Sequence, residues 1–150
     1  MVSSLGPKLY VVGIDKIPNK ILPVKNCNLL NFRKLDHILK KEKPDFIIHL
    51  AAQSLVDETI NKKKYYLNNV VATKNLINAM KNNNISNLIF SSTAALYRYK
   101  NKMISENSKI NPKSMYAKTK YQCEKIIKDK KINSIILRFF NVCSSFKIKN

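Results

Sequence analysis

NLIFSSTAALY (87–97), SMYAKTKYQCEKIIKD (114–129) and SIILRFFN (134–141) follow one another along the chain, and their order decides the fold. The first and third begin as short, continuous apolar runs. The middle stretch carries Met115, Cys123, Ile126 and Ile127 toward one side of a helix. Strand, amphipathic helix, strand is the pattern of two parallel strands joined by a crossover, because parallel neighbours need a long connection and bury both faces. The alternation extends upstream. KLYVVGID (8–15), LPVKNCNL (22–29) and PDFIIHLAA (44–52) read as strands, the last opened by Pro44. Residues 31–41 place Phe32, Leu35, Ile38 and Leu39 at helical spacing, and Tyr65 to Met80 reads as a long helix with Tyr66, Val70, Leu76, Ile77 and Met80 inward. An α/β fold follows: a parallel sheet with helices on both faces.

Composition narrows the function. A chain of 150 residues suits one domain with a sizeable core, and no stretch approaches the roughly 20 apolar residues that span a membrane. The N-terminal stretch lacks a secretory pattern, and the three cysteines (Cys27, Cys123, Cys143) stand far apart without metal-ligand spacing. The expectation is a cytoplasmic protein with reduced thiols and no metal site. The net charge of +19 would attract polyanions, yet the lysines are scattered and no aromatic-interleaved basic motif accompanies them. Enrichment in Lys, Asn and Ile with scarce Gly and Trp also follows from an A/T-biased genome, so no nucleic-acid or membrane partner is expected.

Within the αβ unit, Tyr116 and Lys120 lie four residues apart and so share a helix face. An ammonium near a phenol favours the phenolate and draws its pKa down from about 10. Such a tyrosine can take a proton from a sugar or alcohol hydroxyl, with a hydroxyl of the preceding SST segment holding the oxygen. The plainer alternative is two exposed polar residues on a solvated helix. His49, ending a strand without a partner His or Cys at ligand spacing, reads as a satisfied structural histidine.

VVGID (11–15), NLLNF (28–32), IIHLAAQS (47–54), YYLNNVVAT (65–73), LIFSSTAALY (88–97), PKSMYAKTK (112–120) with Glu124 downstream, and LRFFNV (137–142) occur in the order and spacing of a known family. Together they resemble the extended short-chain dehydrogenases, in the UDP-glucose 4-epimerase branch of the nucleotide-sugar epimerases. The resemblance implies a Rossmann-like sheet, bound NAD and a UDP-hexose substrate whose 4-hydroxyl is oxidised and re-reduced through a 4-keto sugar. It implies Tyr116 as catalytic base, Lys120 as partner of the nicotinamide ribose, and Thr93 as holder of the sugar C4 oxygen. For the cofactor it further implies Asp15, Asn28, Leu29, Leu50, Ala51, Ala52, Asn69 and Phe140, and Asn141 for the nucleotide sugar. Asp15 and Asn28 are equally suited to capping turns, and Phe139 and Phe140 to core packing. Ala94 and Ala95 stand where the related dehydratases carry an acid-base Asp-Glu pair, which disfavours water elimination.

The departures matter as much. The family opens with a strand and a GxxGxxG turn that cradles the pyrophosphate. This chain has only Gly6 and Gly13. Ser54 replaces a frequent lysine, Arg98 follows Tyr97 where glycine is usual, and Ala72 replaces another glycine. The expectation for residues 1–150 is therefore a single partial NAD-binding Rossmann-like domain. It would lack the first strand, the glycine turn and the C-terminal substrate lobe. With the central strand missing, the strands of Asp15 and His49 must pair directly, leave a gap, or receive a strand from another chain. Activity of such a chain is in doubt. A degenerate non-catalytic module binding a partner protein or polyanion, and one half of a split enzyme, are the alternatives. A homodimer through residues 65–83 and 114–131 also stays open.

Overall fold

The computed structural model describes residues 9–17, 24–54, 61–97, 103–130 and 132–142. Its elements are β1 (Gly13–Asp15), β2 (Val24–Asn26), α1 (Phe32–Glu42), β3 (Phe46–His49), α2 (Lys62–Tyr65), a π-helical turn (Tyr66–Val71), α3 (Ala72–Asn82), β4 (Asn87–Thr93), a 3-10 turn (Ala94–Leu96), α4 (Met115–Asp129) and β5 (Asn133–Phe139). The starts of α1 and α4 are chemically marked: Asn31 and Ser114 accept from the backbone N–H of Lys34 and Ala117. Lys43 ends α1 in the left-handed region at φ 43°, donating its N–H to Leu39.

The strands run parallel in two separate sheets, β1-β2 and β3-β4-β5. Among the described residues, the strands of Asp15 and His49 are not paired with each other. The two sheets nevertheless share a helical layer, because Ile14 and Leu29 pack against the core formed by α1, α3, α4 and β4. Leu35, Leu39, Ile77, Met80, Leu88, Phe90, Cys123 and Ile127 are the centre of that core.

The Rossmann-like α/β fold is as expected, with one qualification. Crossovers taken in one direction along a sheet put their helices on the same face. Burial alternates accordingly. Ile47, His49, Leu88, Phe90, Ser92, Ile136 and Arg138 face the helices, while Phe46, Ile48, Ile135, Leu137 and Phe139 are 39–59% exposed. Among the described residues the second helical layer is not represented, and that face of the sheet is bare. Phe139 and Phe140 therefore do not fill the core, being 41% and 60% exposed. The long second helix is also subtler than its sequence period. The π turn shifts the register, so Tyr65 is buried and Tyr66 is exposed.

Candidate active site

Thr93 ends β4 and Tyr116 opens α4, and the Thr93 hydroxyl lies close enough to the Tyr116 phenol to draw its pKa down. The Thr93 hydroxyl also accepts the N–H of Ala95, capping the 3-10 turn that leads away from the sheet. One turn further along α4, Lys120 is 2% exposed. Its Nζ donates to the Ser91 carbonyl at 2.6 Å and lies 4.7 Å from the centre of the Phe90 ring. The three residues expected to do the chemistry are thus brought together at the C-terminal end of β4.

Their electrostatics differ from the spacing argument. Burial pushes the Tyr116 phenol up from its ordinary value, against the smaller pull of the Thr93 hydroxyl. The Lys120 ammonium does not offset this, because it turns toward the sheet and sits 6.0 Å from the centre of the Tyr116 ring. Lys120 itself is lowered to about 8 by burial. Sequence spacing placed the two residues on one helix but could not tell which way the ammonium would point.

Beneath them, His49 is fully enclosed. Its Nε2 shares a hydrogen bond of 3.0 Å with Thr73 Oγ1, and burial, with the Lys120 charge, lowers its pKa to about 3. It is the satisfied structural histidine expected. Asn69 lies in the π turn, where its amide ties the segment after β3 to α4. Oδ1 accepts the Gln53 N–H at 2.7 Å, and Nδ2 donates to Thr119 Oγ1 at 2.9 Å. Asn69 is 2% exposed, so it braces the site from behind.

The remaining candidates line a rim at the C-terminal ends of the strands. Leu50, Ala51, Phe140 and Asn141 are exposed and Ala52 is half-buried. Leu29 is half-buried against the core. Asp15 and Asn28 are exposed, and each closes a local turn: Asp15 Oδ1 accepts from Ile17 N and Asn28 Oδ1 from Leu30 N. Turn capping and ligand contact are compatible here, since only one carboxylate oxygen of Asp15 is engaged among the described residues. Ser54 is exposed after β3; Arg98, Gly6 and Cys143 lie outside the described residues.

Sequence reasoning missed the network around Arg138. Arg138 donates to both carboxylate oxygens of Glu124 and to the Tyr97 hydroxyl, which in turn donates to the Glu106 carbonyl. Glu124 downstream of the YxxxK spacing and Arg138 in LRFFN were the available signals. Among the described residues no three His, Cys, Asp or Glu side chains gather as a metal set, and no helix is long and apolar enough to cross a membrane.

The chain that carries Thr93, Tyr116 and Lys120 is similar in sequence and fold to known proteins. The description "NAD dependent epimerase/dehydratase family" fits residues 6–150. The chain belongs to that family. Among curated members of the epimerase/dehydratase family it is 42% identical over 114 residues to the UDP-glucose 4-epimerase of Lactobacillus helveticus, covering 72% of this chain and 34% of that protein. Two solved members align on the fold with a TM-score of 0.74. They are the UDP-Glc/GlcNAc 4-epimerase of Campylobacter jejuni (32% identity; 84% of this chain and 41% of that one) and the UDP-glucose 4-epimerase of Brucella ovis in complex with NAD (31%; 79% and 38%). The chain thus spans about a third to two fifths of the length of these family members.

Proposed function

We propose that the chain carries the proton-transfer centre of an NAD-dependent nucleotide-sugar 4-epimerase, interconverting UDP-glucose and UDP-galactose. The observation that carries this reading is the gathering of Thr93, Tyr116 and the buried Lys120 at the C-terminal end of β4. Thr93 holds the C4 oxygen and Tyr116 Oη takes the 4-hydroxyl proton, later returning one to the opposite configuration. NAD, when bound, supplies the acceptor and donor of the C4 hydride. Ala94 and Ala95 offer no second acid or base, which keeps the chemistry at epimerisation.

Both ends of a dinucleotide have suitable residues. Tyr116 and Lys120 would hold the nicotinamide ribose, and Asp15, with one carboxylate oxygen unengaged among the described residues, the adenosine hydroxyls. Asn28, Leu29, Leu50, Ala51, Ala52 and Phe140 would line the path between. The pyrophosphate fits less well. Gly13 lies inside β1, where an added Cβ would come within 3.1 Å of Val24 Cγ2, so it serves strand packing and not a phosphate cradle. Weak NAD affinity is therefore expected of the chain alone.

The test is turnover of UDP-glucose by the purified chain with saturating NAD, compared with Tyr116→Phe. The reading expects a loss on the order of a hundredfold or more in the variant. Turnover that survives Tyr116→Phe would overturn it. A second reading, a non-catalytic module for a partner protein or polyanion, is favoured by the bare sheet face and the charge of +19. Salt-sensitive RNA binding indifferent to Tyr116→Phe, without turnover, would support that alternative. Activity restored by a separately supplied βα unit with a glycine turn would instead support a split enzyme. Sedimentation would test the accompanying proposal of a homodimer through α3 and α4.

A further inference from the structure

Glu124 sits two turns beyond Tyr116 on α4, is 1% exposed and accepts three hydrogen bonds. Ser92 Oγ donates to Oε1 at 2.6 Å, Arg138 Nε to Oε1 at 3.0 Å and Arg138 Nη2 to Oε2 at 2.7 Å. Ser92 and Arg138 are register partners in β4 and β5, so one carboxylate from the helix grips two strands at the same level. Arg138 Nη1 continues to the Tyr97 hydroxyl at 2.7 Å, immediately after the 3-10 turn.

A buried carboxylate is a poor way to gain stability, since desolvation consumes most of the Coulomb attraction. A bidentate arginine pair does, however, fix distances and angles closely. The residues it fixes bracket Thr93: Ser92 precedes it, and Tyr97 closes the turn that it caps. We infer that Glu124 is a positioning residue, which grips Ser92 and Arg138 from the helix carrying Tyr116 and so holds the Thr93 hydroxyl in register with the Tyr116 phenol. The inference rests on reading Thr93 and Tyr116 as the reacting pair, but its test needs no turnover.

Beside that phenol lie Thr93 from β4 and the Lys120 Nζ, which is turned toward the sheet 6.0 Å from the ring centre; His49, against Phe90, is neutral through the range titrated. The chain would be labelled with 3-fluorotyrosine, whose phenol ionises at lower pH. Each ring would be followed by fluorine NMR, with Tyr116→Phe identifying the resonance. Loss of the Thr93 hydroxyl in Thr93→Ala should raise the Tyr116 midpoint, since that hydroxyl draws it down. Ser92→Ala, which leaves the ion pair intact, and Glu124→Gln should each raise it by about 0.5 unit or more. In the Thr93→Ala background Ser92→Ala should add nothing, because both act through one hydroxyl. If Glu124→Gln does not fold, Ser92→Ala carries the test alone. Midpoints unchanged in the folded variants while Thr93→Ala shifts would overturn the inference. A midpoint unmoved by Thr93→Ala would remove the reacting pair and the inference together.

Discussion

The two sheets of this molecule hold their polar residues in opposite ways. Around β4, β5 and α4, side chains reach across elements far apart in sequence: Lys120 to Ser91, Asn69 to Thr119, Glu124 to Ser92 and Arg138. Around β1 and β2, Asp15 and Asn28 turn back on their own loops, and the Lys25–Glu42 pair of 2.8 Å, reaching α1, is partly solvated. The first region is built with little freedom left, as proton transfer requires. The second presents polar groups still able to exchange partners, as a ligand-binding edge requires. The proposed proton-transfer centre and the proposed cofactor edge therefore lie in separate parts of this chain, and the first is the more tightly held.

Removing Arg138 should damage the tightly knit region most. Arg138→Ala leaves the Glu124 carboxylate buried without its counter-charge and should cost about 3–5 kcal/mol in urea unfolding. A cost below about 1 kcal/mol would show that the network is looser than its geometry. Lys120 offers a sharper probe, because its sign is opposite to intuition. Its folded pKa of about 8 lies below its ordinary 10.5, so the unfolded chain binds more protons between these values and stability rises with pH across that window. The rise should approach about 3 kcal/mol in the wild type and be absent in Lys120→Met, measured by unfolding at pH 8 and 10.5. Equal slopes in the two proteins would break the assignment.

Smaller effects are expected where the molecule is open. Ile48→Thr and Ile135→Thr lie on the bare face and should each change stability by no more than about 0.5 kcal/mol. A loss above about 2 kcal/mol would mean that something covers this face. Asp15→Asn should alter unfolding least, within about 0.5 kcal/mol, since the amide oxygen can still accept from Ile17. Its effect should be confined to NAD titrations, as the proposed role of the Asp15 carboxylate at the ribose requires.

The same division governs what could be read from the sequence. The candidate residues Thr93, Tyr116 and Lys120 were legible because β4, α4 and β5 are consecutive and the helix period fixes the spacing of Tyr116 and Lys120. Periodicity specifies a face, but not the rotamer that sends Lys120 toward Ser91. It also assumes 3.6 residues per turn throughout. The π turn at Tyr66–Val71 breaks that assumption, burying Tyr65 instead of Tyr66. Phe139 and Phe140 misled for a different reason: apolar character does not say whether a covering layer exists. The Glu124–Arg138 pair spans a helix and a strand, so no local pattern could join its ends.

The ordering of β3, β4 and β5 also has a kinetic consequence. Each strand pairs with its successor, Phe46 with Asn87 and Asn87 with Asn133, so the two chain closures span about 41 and 46 residues. Closure entropy grows only logarithmically with loop length, which makes the two pairings nearly equal in cost. No strand must wait for a distant partner to arrive. The portion carrying Thr93, Tyr116 and Lys120 can consequently condense in the order of its synthesis, independently of whether β1 and β2 have found their place.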